Sequence, residues 1–227
     1  MDGPTHHPYS HGRMIPEQPT RLAVATDLSL EALLAVPDTP SAGVVICHPH
    51  PLYGGDMDNP VVVRIQEVCA SLGLATLRFN FRGVGGSGGA HANGVGEQDD
   101  ARAALEALAR ETRGAPTAIA GYSFGARIAA QVASSDPRIG GLALIAPPLG
   151  MYDFAGVEGV RAPTLMVAGT NDSYCPATDF ARLGGRLPSA TLVSIEGADH
   201  FFFGKLFPLG EAVAKWAQGL RRERPGP

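Results

Sequence analysis

Short apolar runs rich in β-branched residues alternate with segments of helical periodicity over most of the chain. A continuous apolar run of strand length is typical of a strand that is covered on both faces. Strands that alternate with helices predict a mostly parallel central sheet with helices on both faces, the α/β fold class. The predicted strands are 43–47, 75–81, 118–120, 142–146, 164–168 and 191–195.

Two of the intervening helices carry clear signals at their ends. Asn59 is a preferred N-cap residue, Pro60 suits the first helical position, and Gly73 suits the end of that helix. Residues 97–112 form an Ala/Leu-rich segment with acids in its first turn, which complements the helix dipole. Both segments fit helices that cross between strands of a parallel sheet.

One domain is expected between two polar ends. Residues 1–18 are rich in Pro and His and predict a flexible arm, and residues 221–227 form a polar tail. The 19–220 segment between them begins with a predicted hairpin, 22–26 and 28–36, and shows no change in composition that would mark a linker. The length of 227 residues fits a single large domain.

Composition and charge argue against several classes of protein. The formal net charge of −4 argues against a nucleic-acid-binding surface. No apolar run approaches the length of a membrane span, and the first residues contain no secretory apolar core. The three cysteines form no CxxC pair, so neither a disulfide framework nor a zinc knuckle is expected. We expect a cytoplasmic monomer or homodimer that contacts neither nucleic acid nor a membrane.

The segment GYSFG, residues 121–125, matches the pattern G-x-S-x-G and has Ser123 at its centre. It follows a short apolar strand and precedes a helical segment, 126–132, which is the strand–turn–helix setting of a nucleophile elbow. Such a sharp turn requires small neighbours, and the helix that follows directs its positive end toward developing negative charge. Ser123 is therefore the predicted nucleophile.

A serine hydroxyl needs a base to remove its proton and an acid to orient that base. In an elbow of this type the order along the chain is Ser, then Asp or Glu, then His. His200 is the only histidine after Ser123, so it is the predicted base. Asp172 is the predicted acid because it comes soon after the strand 164–168.

Three of the other aspartates between Ser123 and His200 also bear on the choice of acid. Asp153 follows the preceding strand and is the main alternative acid. Asp179 lies within a predicted helix, and Asp199 adjoins the base, where it is expected to shape the turn that carries His200.

The segments GYSFG, GTND and GADHFF, in this order and spacing, resemble the α/β-hydrolase superfamily over nearly the whole chain after residue 20. Residues 47–59 (CHPHPLYGGDMDN) and 79–87 (FNFRGVGGS) are similar to the small bacterial serine hydrolases of the dienelactone-hydrolase-like group. This resemblance implies an α/β-hydrolase fold without a sizeable lid and implies an esterase-like activity.

Acyl transfer places negative charge on the former carbonyl oxygen, and fixed N–H donors stabilise that charge. One donor is expected to be the backbone N–H of Phe124, directly after the nucleophile. By resemblance, His48-Pro49 occupies the place of the usual His-Gly, which would make the backbone N–H of His50 the second donor. Leu52 is the alternative, because the intervening prolines have no N–H.

Two patterns suggest other chemistry. His48 and His50 could share a metal, but no carboxylate at ligand spacing follows until Asp56 and Asp58, so no metal site is predicted. Residues 83–88 match G-x-G-x-x-G, but no helix opens within that loop, as a dinucleotide site would require. No cofactor is expected.

Only fourteen residues, 149–162, lie where larger relatives often insert a helical lid, so an open cleft is expected. Met151, Tyr152 and Phe154 could cover it. The candidate apolar wall residues are Tyr53, Met57, Tyr174 and the run Phe201, Phe202 and Phe203.

A shallow apolar cleft suits a small-molecule partner, an ester of a small or medium acyl group. A carboxylesterase that works through an acyl-serine intermediate is the expected function. A thioesterase, a lactone hydrolase or a peptidase would use the same three residues, and a non-catalytic binding or scaffold protein could keep the same fold.

Overall fold

Eight strands form one continuous sheet in the computed structural model, which describes residues 15–220. Across the sheet the strand order is β1-β2-β4-β3-β5-β6-β7-β8. Strand β2 runs antiparallel to both of its neighbours, and the remaining pairs are parallel. The strands are β1 (Gln18–Ala25), β2 (Leu28–Ala35), β3 (Gly43–Cys47), β4 (Ala75–Phe79), β5 (Thr117–Tyr122), β6 (Ile139–Ile145), β7 (Thr164–Gly169) and β8 (Ala190–Ile195).

Helices cover both faces of this sheet. Within the described residues they are α1 (Pro60–Ser71), α2 (Gly96–Glu111), α3 (Phe124–Ser135), α4 (Ala177–Arg186) and α5 (Leu206–Gly219). One core joins the sheet to α1 and α5, and a second core joins the opposite face to α2, α3 and α4. Every residue of β3 and β4 is buried. Strand β3 accordingly forms a continuous apolar run in the sequence, whereas β4 also contains Thr76 and Arg78.

The expected start of α1 matches the structure, whereas the strand predicted over 75–81 ends two residues early. The side-chain oxygen of Asn59 accepts a hydrogen bond from the backbone N–H of Val61 at 3.0 Å, which caps α1. Strand β4 ends at Phe79 because the backbone N–H of Phe81 donates to Nε2 of His48 instead of to a neighbouring strand.

The chain joins the sheet earlier than the sequence indicates. Strand β1 begins at Gln18, which pairs with Leu34, rather than at residue 22. Glu17 accepts two hydrogen bonds from the guanidinium of Arg78, at 2.8 and 2.7 Å. Residues 1–14 of the expected arm, and the whole of the tail expected over 221–227, lie outside the described residues.

The segment between β6 and β7 contains a short 3-10 turn, Val157–Gly159, and no lid domain. The architecture therefore confirms the predicted fold class, a mostly parallel sheet with helices on both faces and no sizeable lid. Between residues 15 and 220, no helix has the length and apolar character needed to cross a bilayer.

Candidate active site

Ser123 forms the sharp turn between β5 and α3. Its backbone has φ 55° and ψ −118°, a strained conformation for a residue with a side chain. A Cβ atom on Gly121 would lie 2.1 Å from the carbonyl oxygen of Gly125, and one on Gly125 would lie 2.3 Å from that of Cys47. Both flanking positions therefore require glycine, and the pattern G-x-S-x-G is a direct consequence of backbone packing.

His200 lies in the loop after β8 and contacts Ser123 and Asp172 with opposite edges of its ring. Its Nε2 atom is 3.0 Å from the Oγ atom of Ser123. Its Nδ1 atom is 2.8 Å from Oδ2 and 3.0 Å from Oδ1 of Asp172. The structure thus brings the three predicted residues into one hydrogen-bonded chain.

The carboxylate of Asp172 is held from two sides. Its side chain is fully buried, and Oδ1 also accepts hydrogen bonds from the backbone N–H groups of Tyr174 (2.9 Å) and Cys175 (3.1 Å). These donors fix the carboxylate in the orientation in which it meets His200.

Tyr122, which was not among the predicted site residues, holds the loop that carries His200. The hydroxyl of Tyr122 donates to the carbonyl oxygen of His200 at 2.9 Å. Burial, together with the charges of Asp172 and Asp199, raises the pKa of Tyr122 above its ordinary value, so the hydroxyl stays protonated and remains a donor. Tyr122 occupies the variable position before the serine in G-x-S-x-G, and no sequence signal marks it as a site residue.

The other aspartates lie apart from this chain of hydrogen bonds. Asp153 is exposed and makes no hydrogen bond within residues 15–220. Asp179 lies on α4 and pairs with an arginine of the same helix. Asp199 accepts hydrogen bonds from the backbone N–H groups of Phe201 (3.0 Å) and Phe203 (3.3 Å), and so shapes the turn beside His200.

Two of the three expected oxyanion donors have free backbone N–H groups. Neither Phe124, at the first position of α3, nor His50 donates a backbone hydrogen bond to an acceptor within residues 15–220. The N–H of Leu52, by contrast, donates to Nδ1 of His50 at 3.1 Å. Phe124 and His50 are therefore better suited than Leu52 to bind a negatively charged oxygen.

His48 is a buried structural residue beneath the loop that carries His50. Its Nε2 atom accepts from the N–H of Phe81 at 3.0 Å, and its Nδ1 atom lies 2.6 Å from the carbonyl oxygen of Pro49. Burial lowers the pKa of His48 to about 4, so the ring is neutral at neutral pH. No group of three or more His, Cys, Asp or Glu residues in the described part of the chain is arranged to hold a metal ion.

The glycine loop 83–88 packs against the β1–β2 hairpin. The N–H of Gly86 donates to the carboxylate of Glu31 at 2.7 Å, and the hydroxyl of Ser87 accepts from the N–H of Glu31 at 2.9 Å. The next helix, α2, begins only at Gly96. The loop lacks the helix that a dinucleotide site needs directly behind its glycines.

A cleft of about 320 Å³ opens at Ser123. Three of the expected wall residues, Tyr53, Tyr174 and Phe201, line it, and the ring of Tyr174 lies 4.7 Å from that of His200. The described residues that line the cleft include no Asp, Glu, Lys or Arg. They are Pro49, His50, Tyr53, Gly54, Gly55, Asn59, Tyr122, Ser123, Phe124, Pro148, Met151, Tyr152, Tyr174, His200 and Phe201.

Met57 is not a wall residue, which corrects the expectation from the sequence. Its N–H donates to the side chain of Asn80 and its carbonyl accepts from Arg78, so the backbone is held inward and the side chain is buried. Phe154 and Phe202 are also buried in the core rather than placed over the cleft. Of the three residues expected to cover the cleft, Met151 and Tyr152 line it.

Comparison with known proteins agrees with this architecture. The family model described as an alpha/beta hydrolase domain matches residues 41–206. An uncharacterised protein of Rickettsia prowazekii is 38% identical over 195 residues, which cover 81% of this chain and 82% of that protein.

Solved structures give the same result. A serine hydrolase without a lid from Xanthomonas campestris has a TM-score of 0.82 at 29% identity and covers 94% of this chain and 100% of its own. An alpha-beta serine hydrolase homologue from Coxiella burnetii has a TM-score of 0.80 at 35% identity and covers 91% of this chain and 99% of its own. The resemblance to small lidless serine hydrolases is thereby confirmed, and the chain belongs to the α/β-hydrolase family.

Proposed function

We propose that the protein is a serine hydrolase that cleaves carboxylic esters of small or medium acyl groups through an acyl-Ser123 intermediate. The observation that carries this proposal is the continuous contact from Ser123 through His200 to the buried carboxylate of Asp172 at the base of an open cleft. A hydroxyl, an imidazole and a carboxylate in this order are the groups that activate a serine for attack on a carbonyl carbon.

In the proposed reaction, the hydroxyl of Ser123 donates to Nε2 of His200, while Nδ1–H of His200 donates to Asp172. His200 takes the serine proton as Oγ attacks the substrate carbonyl carbon, and Asp172 stabilises the resulting imidazolium. His200 then gives that proton to the departing alkoxide, which leaves an acyl group on Ser123. Water, deprotonated by the same imidazole, hydrolyses the acyl-enzyme in the second half of the cycle.

The backbone N–H groups of Phe124 and His50 are proposed to hold the oxyanion. Each is free of other acceptors within residues 15–220, and each belongs to a residue that lines the cleft. A preorganised donor of this kind contributes about 3–4 kcal/mol to transition-state stabilisation.

The lining of the cleft supports a neutral, largely apolar substrate. Its walls are mainly aromatic rings, Met151 and prolines, and none of the described lining residues has a carboxylate, ammonium or guanidinium group. Because no lid covers it, an acyl chain of several carbons can extend from Ser123 toward solvent. A volume of about 320 Å³ fits a small or medium ester.

An activity screen tests this proposal. Purified protein is assayed on p-nitrophenyl esters from acetate to dodecanoate, beside a thioester, a lactone and an anilide of matched acyl length. We expect the short and medium esters to give the highest kcat/KM, and Ser123→Ala to abolish turnover of all substrates. Higher kcat/KM on the thioester, lactone or anilide would replace the ester assignment. No turnover of any substrate would favour a non-catalytic binding role.

A further inference from the structure

The imidazole of His50 is held in one tautomer by the loop that carries it. His50 caps the 3-10 turn Pro51–Tyr53, and its Nδ1 atom accepts a hydrogen bond from the N–H of Leu52 at 3.1 Å. A ring nitrogen that accepts a hydrogen bond bears no proton, so in the neutral ring the proton is on Nε2. Burial, with a smaller effect from His91, lowers the pKa of His50, so the ring is neutral at neutral pH.

The Nε2–H group of this ring is a free donor on the wall of the cleft. His50 lines the cleft that contains Ser123. Its Nε2 atom has no hydrogen-bond partner within residues 15–220. Some side-chain atoms of this part of the chain are both buried and unpartnered, and Nε2 of His50 is not among them. The N–H is therefore not buried, and it belongs to a residue that lines the cleft.

The ring is also held in place by its neighbours. Its centroid lies 4.6 Å from that of Tyr53, 4.9 Å from that of His91 and 4.8 Å from that of Phe124. Three packed rings and the bond to Leu52 leave the imidazole little rotational freedom. A donor held in this way loses little entropy when it binds an acceptor.

The surroundings of this donor indicate which acceptor it fits. The cleft walls are mainly apolar, and the charged residue types Asp, Glu, Lys and Arg are absent from its described lining. The hydroxyl-bearing rings of Tyr53 and Tyr174 are 77% and 42% exposed, so they are less fixed than His50. A neutral N–H in such a wall suits a neutral oxygen rather than a carboxylate.

We propose that Nε2–H of His50 binds the substrate, and that the preferred esters carry a second neutral acceptor oxygen, an ether, keto or hydroxyl oxygen, close to the scissile carbonyl. This inference rests on the proposed ester hydrolysis and names the substrate class for it. The role belongs to the side chain and is separate from that of the backbone N–H of His50 at the oxyanion.

Two esters of equal chain length test the inference: p-nitrophenyl pentanoate and p-nitrophenyl ethoxyacetate, in which an ether oxygen replaces one methylene. Each kcat/KM is divided by the rate constant of alkaline hydrolysis of the same ester, which removes the difference in intrinsic reactivity. The readout is the corrected ratio of ethoxyacetate to pentanoate. We expect a ratio of roughly 3 to 10 for the native protein, the range of one neutral hydrogen bond.

Two substitutions separate the donor from the turn cap. His50→Asn keeps an acceptor for the N–H of Leu52 but has no group at the place of Nε2, so the ratio should fall to about one. His50→Gln offers an N–H at a similar reach but leaves Leu52 without its acceptor, so it should lower both rates while the ratio stays well above one. Tyr53→Phe, which removes an exposed hydroxyl from the same cleft, should keep the native ratio.

A native ratio of about one, or a ratio that His50→Asn leaves unchanged, would overturn the inference. If His50→Asn lowers both rates equally, the side chain acts only through the loop, and the inference is also wrong. Hydrolysis of the pentanoate that depends on Ser123 would show that the proposed function stands even then. Failure to cleave either ester would overturn both proposals. Thermal unfolding of each variant checks that the fold is retained.

Discussion

Both carboxylate oxygens of Asp172 lie within hydrogen-bond distance of Nδ1 of His200, although the two residues are 28 positions apart in the chain. The pairing of β7 with β8 explains their proximity. These strands are parallel and in register up to Gly169 and Ile195, so the loops after their carboxyl ends emerge at the same edge of the sheet. The turn that carries each group is then fixed by its own backbone hydrogen bonds.

Replacing Asp172 by asparagine should lower kcat strongly without unfolding the protein. The side-chain oxygen of Asn can still accept from the N–H groups of Tyr174 and Cys175, which leaves its NH₂ group facing His200. Nδ1 of His200 must then accept a hydrogen bond from that NH₂ group, so the ring proton moves to Nε2. A ring protonated at Nε2 can no longer take the proton of Ser123. We expect kcat on p-nitrophenyl butyrate to fall by about 10³ to 10⁴.

The matched control is Asp153→Asn. Asp153 is exposed and makes no hydrogen bond within residues 15–220, so kcat should stay within about twofold, as for most surface substitutions. Equal losses in the two variants would show that the acid has been assigned to the wrong aspartate.

Gly121→Ala should destabilise the fold severely. The added Cβ would lie 2.1 Å from the carbonyl oxygen of Gly125, and neither strand β5 nor helix α3 can move away without disturbing the core. We expect a loss of about 3 kcal/mol or more in the free energy of unfolding, measured in urea.

Gly185→Ala on α4 provides the comparison. Apart from the adjoining residues and the backbone of α4 itself, no atom lies within 4 Å of a Cβ at this position. Alanine also favours a helix over glycine by up to about 1 kcal/mol. This variant should be as stable as the native protein or slightly more so. If Gly121→Ala proved equally well tolerated, the backbone packing described for the elbow would be wrong.

The stability of the protein should fall in mild acid because of His48. Its pKa is lowered to about 4 in the folded state from 6.5 in the unfolded chain, so between these values only the unfolded chain takes up the proton. The contribution of His48 to the free energy of unfolding is fully present above pH 6.5. It is lost as the pH falls toward 4, by up to about 3 kcal/mol. Free energies of unfolding measured in urea at pH 7 and pH 4 give the difference.

His48→Gln isolates the contribution of that ring. The amide oxygen of glutamine can replace Nε2 as the acceptor for the N–H of Phe81 but does not titrate. The variant should therefore lose less stability than the native protein between pH 7 and pH 4. An equal loss in both proteins would mean that other groups account for the acid sensitivity.

Elements with a local signal were predictable from the sequence. Strand β3 was expected with the bounds Gly43–Cys47 that the structure has, because a strand buried on both faces gives an uninterrupted apolar run. The early end of β4 was not predictable, since it depends on the capture of the Phe81 N–H by His48, 33 residues away. The order of the strands in the sheet was not predictable either, because no local sequence pattern specifies which strands are neighbours.

The same distinction applies to the candidate site. Ser123, Asp172 and His200 could be selected because each follows closely on a predicted strand, and parallel strands gather such loops at one edge. The cleft walls could not be separated from the core in this way. Tyr53 and Met57 lie four residues apart in one loop, yet hydrogen bonds to the Met57 backbone hold that residue in the interior.

Labelling with a fluorophosphonate probe, mapped by mass spectrometry, tests most directly whether Ser123 is an activated nucleophile. We expect a single adduct on Ser123 in the native protein, no adduct in Ser123→Ala, and much slower labelling in His200→Ala. An adduct on another residue, labelling that survives Ser123→Ala, or no labelling of the folded native protein would show that Ser123 is not the activated nucleophile.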